Sequence, residues 1–518
     1  MLLGGTIFAV SARLALVNAY PFPQYWSEGN RFYDYSTLFG DFRYVTIGGE
    51  RLEAFITPGM ALPWALPFVF PALSIQTFRL YYQLVWIIPA LLLGYIAGRK
   101  ISEVHILAYP VLVFVLWTYI FMETGPVYPP IILVGLLVTL ALPRRTWLAV
   151  VLVFSAAYYA HISRWTWSYA PGIWAGTCCL LSYAPDEIRE NWKKALAKPV
   201  ILGFAGLAGG LLLPALTASP MAGSLINPLP FTERQPLLWD RLLPNATYAP
   251  GILLGLLWSA GAALILIVLL MLWNRRRLHW LQVSATIISL AGFLVVGIVA
   301  SAKIGGGSNL HNLDMFLISI VLVLAVLLKE GFLNCDWTKS QRITLACCLL
   351  VAVASPVTYI LRGTHPPSHP QQALVDNALL QVRAWAEKMQ NSGEVLFIDQ
   401  RQLLTFGYIT DVPLVQEYEK KLLMEMAMSR RADYFSDFYS DIASQRFSLI
   451  VNEPSGLYIK DTRESFSEEN NAYVEWVTFP LLCNYYPVVT IKEVGLELLL
   501  PRTVLPTGDA RCAPYLQY

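Results

Sequence analysis

The stretch "GILLGLLWSAGAALILIVLLML" (251–272) contains no charged residue and no proline. As an α-helix it would be about 33 Å long, enough to cross the roughly 30 Å hydrocarbon core of a bilayer. "VSATIISLAGFLVVGIVA" (283–300) reads the same way. The whole chain has this character. Of its 518 residues 56% are hydrophobic and 14% charged, with a mean hydropathy of +0.50, whereas a soluble domain is roughly a quarter charged. Lys and Arg form short clusters at the ends of apolar runs, and the net charge is only +2. That charge carries no signal for nucleic acid, and no nucleic-acid partner is expected.

Further apolar segments lie near 79–98, 104–122, 127–142, 147–163, 166–183, 199–217, 314–329 and 342–361. "LLGGTIFAVSARLALVNAY" (2–20) lacks a basic leader and reads as a retained first span, although Arg13 lies inside it. The proline-rich "PGMALPWALPFVFPAL" (58–73) suits a re-entrant or interfacial segment better than a regular span. Basic residues set the orientation, because short cytoplasmic loops are enriched in Lys and Arg. Arg99/Lys100, Arg144/Arg145, "DEIRENWKKALAK" (186–198), "NRRR" (274–277) and "KEGFLNCDWTKSQR" (329–342) fall on one side if 58–73 does not cross. The expected fold is a polytopic α-helical membrane protein of about eleven crossings. Its N-terminus is cytoplasmic, and a small extracytoplasmic α/β domain ends the chain.

That division places the membrane domain at 1–361 and the soluble domain at 362–518, after the linker "RGTHPPSHPQQ" (362–372). Beyond it, "ALLQVRAWAEKMQN" (378–391) has helical periodicity and "EVLFID" (394–399) reads as a strand. "RQLLTFGYI" (401–409) follows as a helix, "FSLIVNEP" (447–454) as a strand and "YPVVTIKEVGLELLLPR" (486–502) as a hairpin. The seven cysteines show no metal spacing. Cys178/Cys179 and Cys347/Cys348 lie in apolar runs as small hydrophobes, and Cys483 and Cys512 are free to pair if their domain is extracytoplasmic.

On this topology the unusual polar chemistry gathers on the outer face. "QYWSEGNRFYDYSTLFGDFRYV" (24–45) packs Glu28, Arg31, Asp34 and Asp41 among aromatics. It is either an aromatic belt or the source of a carboxylate that takes a proton from an acceptor hydroxyl. Glu28 is the preferred base, with Asp34 as the alternative. Glu123 in "METGPVYPP" (122–130) is either solvated or functional, paired with an arginine of another outer loop or set beside Glu28 as a further catalytic carboxylate. In "HISRWTWSYAPG" (161–172), Arg164 either snorkels to headgroups or, with His161, grips a phosphate while Trp165 or Trp167 stacks on a sugar. The loop 218–248 carries Glu233, Arg234, Asp240 and Arg241 among leucines, as an interfacial helix or lid would. Asn245-Ala246-Thr247 matches a glycosylation sequon, a weak pattern.

"KIGGGSNLHNLD" (303–314) joins two apolar spans. Gly305, Gly306 and Gly307 free the backbone for an anion-binding nest. Asn309 or Asn312 can cap the following helix, Lys303 adds a point charge, and His311 and Asp314 stand at the same level. A cradle for a lipid-linked phosphate is the reading preferred over a flexible loop with an ordinary cap.

"SEGNRFYDY" (27–35) directly after the first span, the interfacial stretch behind it and the topology together resemble the GT-C class of polytopic glycosyltransferases. That class includes the aminoarabinose transferases and protein O-mannosyltransferases. The resemblance covers about residues 1–361, and Ser27-Glu28 stands where the family commonly has an Asp-Glu pair. It implies inverting transfer of a sugar from a polyprenyl-phosphate carrier to a glycan, lipid or protein acceptor, on the outer face of what is expected to be a bacterial plasma membrane. Glu28 would serve the acceptor hydroxyl, while Lys303, His311 and Arg164 would hold the leaving phosphate. No cofactor is required; a divalent metal is compatible with the scheme, without a convincing ligand set. A transporter would put ionisable residues near the bilayer midplane, where only Arg13 is a candidate, and a non-enzymatic assembly subunit would need none of these clusters.

Overall fold

The computed structural model describes residues 1–46, 52–99, 109–217, 235–273, 278–329, 338–363, 368–504 and 511–516. Lys100, Glu233, Arg234, the "NRRR" cluster and residues 330–337 of the last basic loop lie outside the described residues.

The protein is an integral membrane protein. Seven described helices are long and apolar enough to cross a bilayer: Ile75–Gly98, Thr146–Ser163, Trp192–Leu216, Gly251–Trp273, Trp280–Ala302, His311–Leu328 and Lys339–Arg362. Four other expected segments are helical but shorter, namely Leu2–Leu14, Tyr109–Thr124, Pro129–Ala141 and Ala170–Leu181. The eleven segments expected to cross are thus occupied by seven helices of spanning length and four shorter ones. The segment 58–73 forms the 8-residue helix Pro58–Ala65 and a 3₁₀ turn, too short to cross. A Cβ on Gly59 would sit 2.6 Å from the backbone of Ile162 and Ser163, and Thr57 Oγ1 donates to the Ser163 carbonyl at 2.6 Å. This short helix therefore lies against the end of Thr146–Ser163, with Leu62, Leu66, Val69 and Phe70 exposed as in an interfacial element.

The C-terminal region builds a four-stranded sheet from β2 (Glu394–Phe397), β4 (Phe447–Asn452), β5 (Tyr485–Ile491) and β6 (Leu496–Pro501), in the order β2-β4-β6-β5. β2 and β4 are parallel, while β4–β6 and β5–β6 are antiparallel. Alternate side chains feed two cores. Val395, Phe397, Leu449 and Val451 pack under helix Gln372–Met389. Leu396, Ile450 and Leu499 pack under helices Lys420–Met428 and Ala432–Ala443. Cys483 and Cys512 form a disulfide.

The first polar loop folds onto this unit. Phe22, Tyr33, Tyr44 and Leu52 belong to the same core as β2 and β4, and β1 (Val45–Thr46) pairs in parallel with β3 (Pro413–Leu414). Asn30 donates to the Ile398 carbonyl at 3.0 Å, and Gln402 donates to that of Pro21 at 3.0 Å. Gly29 is required by this contact, because a Cβ there would lie 1.8 Å from Gln402 Oε1. The boundary at 361/362 is a boundary along the chain, not in space.

Candidate functional site

One rim of the helical bundle and the C-terminal unit enclose a cavity of about 1220 Å³. The bundle contributes the end of the first helix (Arg13), the start of Ile75–Gly98 (Tyr82, Gln83, Trp86), the turn after Thr124 (Pro126, Tyr128), the turn after Ser163 (Arg164, Trp165) and the turn after Ala302. Connections expected to share one face thus meet at one cavity. Arg144 lies at the opposite ends, where Lys198 donates to its carbonyl at 3.0 Å.

The expected carboxylates are placed otherwise. Glu28 is held by Arg79, with Nε–Oε1 at 3.1 Å and Nη2–Oε2 at 2.9 Å, and both side chains are at most 2% exposed. The Gln24 N–H adds a bond of 2.9 Å to Oε2. Arg79 also donates to the carbonyls of Asn18, Tyr20 and Phe22. This is a buried pin that fixes the first loop over the helix start, off the cavity wall. Asp34 is buried against Lys421 and accepts from the Phe55 N–H at 3.2 Å; burial raises its pKa against the pull of Lys421. Glu123 is chelated by Arg13 at 2.7–3.0 Å. Arg13 is therefore a rim residue with a counter-ion, and the one observation that pointed to a transporter is accounted for.

The cationic expectations converge better. Arg31 lines the cavity amid Tyr25, Tyr35, Tyr82 and Tyr128, and it forms no ion pair among the described residues. Arg164 lines it too, bonded to Asn312 Oδ1 at 3.2 Å, with its guanidinium 5.8 Å from the Trp167 ring centre. Lys303, Gly305, Gly306, Asn309 and His311 complete this wall. His161 bonds Ser168 at 3.0 Å and does not line the cavity. Trp167 and Asp314 are buried behind the wall, while Trp165 reaches it. Asn309 accepts from the N–H of His311 but is not the cap of the turn His311–Leu313, whose N-cap position is Leu310 with no side-chain cap, and Asn312 is spent on Arg164 and two carbonyls.

The glycine turn does hold an anion, but one from its own chain. The Gly305 N–H, at φ +77, donates to Glu469 Oε1 at 2.7 Å. Glu469 is also bound at both oxygens by buried Arg241 at 2.5 and 2.7 Å. Gly307 serves packing, since a Cβ there would sit 2.8 Å from Arg241 Cδ.

The far wall escaped the sequence reading. Helix Lys420–Met428 is capped by Glu419, which accepts from the Leu422 N–H at 3.0 Å. Leu423, Met426 and Ala427 face the core. The 3.6-residue period then sends Lys421, Met424, Glu425 and Met428 into the cavity. Glu425 Oε2 accepts from Gln235 Nε2 at 2.7 Å, and no hydrogen bond reaches Oε1 among the described residues. Burial raises the pKa of Glu425, opposed by the Gln235 bond and by the charges of Lys421, Arg164 and Lys303. Two of those charges come from the bundle, so Glu425 stands within electrostatic reach of the cationic wall. A lone glutamate in "KKLLMEMAM" (420–428) was the available signal. Among the described residues, no group of three His, Cys, Asp or Glu side chains is arranged to hold a metal ion.

No protein-family model matches the chain, and no curated protein matches it. Among solved structures the chain is similar, at a distance, to archaeal oligosaccharyltransferases of Archaeoglobus fulgidus. The apo crystal structure aligns at 12% identity over 87% of this chain and 69% of that one, with a TM-score of 0.43. The enzyme named AglB, in complex with an inhibitory peptide and a dolichol-phosphate, aligns at 10% identity over 94% and 72%, with a TM-score of 0.47. A third structure, tethered to an acceptor peptide, gives 11% identity and a TM-score of 0.45. All are distant, and the chemistry of this chain is set by its own cavity.

Proposed function

We propose that this protein is a membrane glycosyltransferase moving a sugar from a polyprenyl-phosphate-type donor to a glycan, lipid or protein acceptor on the outer face of the membrane. One observation carries the reading: a carboxylate of raised pKa, Glu425, shares a large cavity with Arg31, Arg164 and Lys303 at one rim of the helical bundle. The leaving group of such a donor is already a phosphate. Preorganised cations stabilise the charge that grows on it as the glycosidic bond breaks, and arginine offers a planar fork of donors matched to phosphate. Glu425 accepts the proton of the attacking hydroxyl at Oε1. Attack from the side opposite the leaving phosphate inverts the anomeric carbon.

We place the base at Glu425 rather than Glu28 because both oxygens of Glu28 are committed to Arg79. The disulfide supports an extracytoplasmic C-terminal region, since such bonds persist in oxidising compartments, and the basic clusters support a cytoplasmic N-terminus. The test is reconstitution in nanodiscs with undecaprenyl phosphate carrying defined hexoses. Acceptor-dependent release of bare lipid phosphate is expected. Failure of every donor, with envelope extract as acceptor source, would sink the reading. Labelling of Ser308→Cys from outside intact cells checks the side; labelling only after permeabilisation would reverse it.

A further inference from the structure

We infer that the loop leaving β4, together with Tyr473, forms a pyranose-binding subsite in the cavity, separate from the cationic wall. The inference rests on the glycosyl-transfer reading and deepens it by saying where the sugar is read.

β4 runs parallel to β2, and its carboxyl end opens into the cavity. Open α/β sheets bind ligands outside the carboxyl ends of their parallel strands. From there the chain continues as "NEPSGLYIK" (452–460), and Asn452, Glu453, Ser455 and Tyr458 all line the cavity. Asn452 is 3% exposed, and its Oδ1 has no hydrogen-bond partner. Tyr473 is 7% exposed, with its ring in the core below helix Lys420–Met428; it lines the cavity, and its buried hydroxyl is also unpartnered. Buried polar atoms are nearly always paired. Two unpaired ones on the wall of one cavity call for a polar ligand.

The kinds of atom present select its chemistry. Asn452 Oδ1 is an acceptor. Glu453 offers a second acceptor at Oε1, because Oε2 is occupied by Lys420 at 2.6 Å. The Tyr473 hydroxyl both donates and accepts. A phosphate carries acceptor oxygens only and would be repelled by such a set. Sugar hydroxyls, each a donor and an acceptor, satisfy it. Trp26, half exposed, and Tyr458, 63% exposed, stand on the same cavity wall as aromatic faces for the C–H side of a ring. The two ends of a sugar phosphate would thus be sorted, phosphate to Arg31, Arg164 and Lys303, and sugar to Asn452 and Tyr473.

The experiment uses the full-length protein in nanodiscs. Affinities are measured for bare undecaprenyl phosphate and for the same lipid carrying glucose, mannose, galactose or N-acetylglucosamine. Free methyl hexosides are examined separately by saturation-transfer NMR. Tyr473→Phe and Asn452→Ala should each weaken at least one glycosylated lipid by about 3- to 10-fold, the effect of one hydrogen bond, and leave bare lipid unchanged. Gly456→Leu guards against misfolding, because a Cβ at Gly456 meets nothing within 4 Å; it should fill the subsite and give the same discrimination. If the variants instead raise the KM of a glycan acceptor while donor affinity holds, the subsite stands and its pyranose belongs to the acceptor. Equal losses for bare and glycosylated lipid, or no loss in any variant, overturn the inference. Methyl hexosides that bind in a Tyr473-dependent way to a protein that ignores lipid phosphate would leave the subsite and remove the transfer reading. Lipid phosphate binding with no sugar discrimination would do the reverse.

Discussion

Replacing Glu425 and Glu28 by glutamine, one at a time, separates two roles that look alike in sequence. Glu425 makes a single hydrogen bond among the described residues, to Gln235 Nε2 at 2.7 Å. An amide oxygen can keep that bond, so Glu425→Gln should leave thermal stability within about 0.5 kcal/mol of wild type. What it loses is proton acceptance at Oε1, which contributes on the order of 10²–10⁴-fold to kcat. Donor affinity should change little, because the phosphate is held elsewhere. Glu28→Gln strips the counter-ion from Arg79, whose side chain is 1% exposed. Leaving a buried charge uncompensated costs about 3–5 kcal/mol, part of it relieved by the carbonyls of Asn18, Tyr20 and Phe22. That variant should melt several degrees earlier and, once folded, turn over normally. Donor titrations with undecaprenyl-phosphate hexoses and a thermal-shift series on the same preparations read both effects. Loss of turnover in Glu28→Gln at an unchanged melting temperature would refute the assignment. So would a Glu425→Gln protein of wild-type rate.

Because burial holds the Glu425 carboxyl above its ordinary value, the base is lost by protonation as pH falls through that raised pKa. Log kcat/KM should drop with unit slope on the acid side, and the limb should vanish in Glu425→Gln; a pH–rate series checks it. Arg164→Ala removes a phosphate partner that here bonds only Asn312 among the described residues and should raise the donor KM by about 10- to 100-fold, the value of a charge-assisted hydrogen bond. Gly29→Ala pushes a methyl into Gln402, 1.8 Å from its Oε1, and should destabilise by about 1–3 kcal/mol; recovery in Gly29→Ala/Gln402→Gly, read by thermal shift, would identify the clash as the cause. Reduction of Cys483–Cys512, whose sequence separation is 29, should lower stability by about 2–4 kcal/mol, seen as an earlier melt of the C-terminal unit under dithiothreitol.

What the sequence made legible follows from what each signal measures. Hydropathy reports where a helix is apolar, so "GILLGLLWSAGAALILIVLLML" and its neighbours were unambiguous. It does not report length where proline or charge cuts a run, as Arg13 does near the end of Leu2–Leu14. Short apolar runs marked β2 and β4 as buried strands, and "YPVVTIKEVGLELLLPR" marked the β5–β6 hairpin, because the apolar residues of this sheet serve two cores. The cationic wall was partly visible, since Arg31, Arg164 and Lys303 belong to connections that the order of the helices brings to one rim. Pairing was not visible. Glu28 looked like a base because nothing in "SEGNRFYDY" announces that Arg79, 51 residues on, will claim it, and "KIGGGSNLHNLD" looked empty because Glu469 lies 164 residues beyond Gly305.

These long-range ion pairs explain why the reactive carboxylate had to come from elsewhere. Arg79–Glu28, Arg13–Glu123, Lys421–Asp34 and Arg241–Glu469 each neutralise a charge at the seam between the bundle rim, the first loop and the C-terminal unit. Lone charges left at such a seam would be desolvated at high cost, so the acidic residues nearest the membrane are consumed in docking. Glu425 escapes because its partner is a neutral amide. Lys421, Arg164 and Lys303 act on it through their charges, and with Oε2 bonded to Gln235 among the described residues, Oε1 is left to a hydroxyl. A catalytic carboxylate in this fold is one that the seam does not use, and such a residue is recognisable only when all the pairs around it are known.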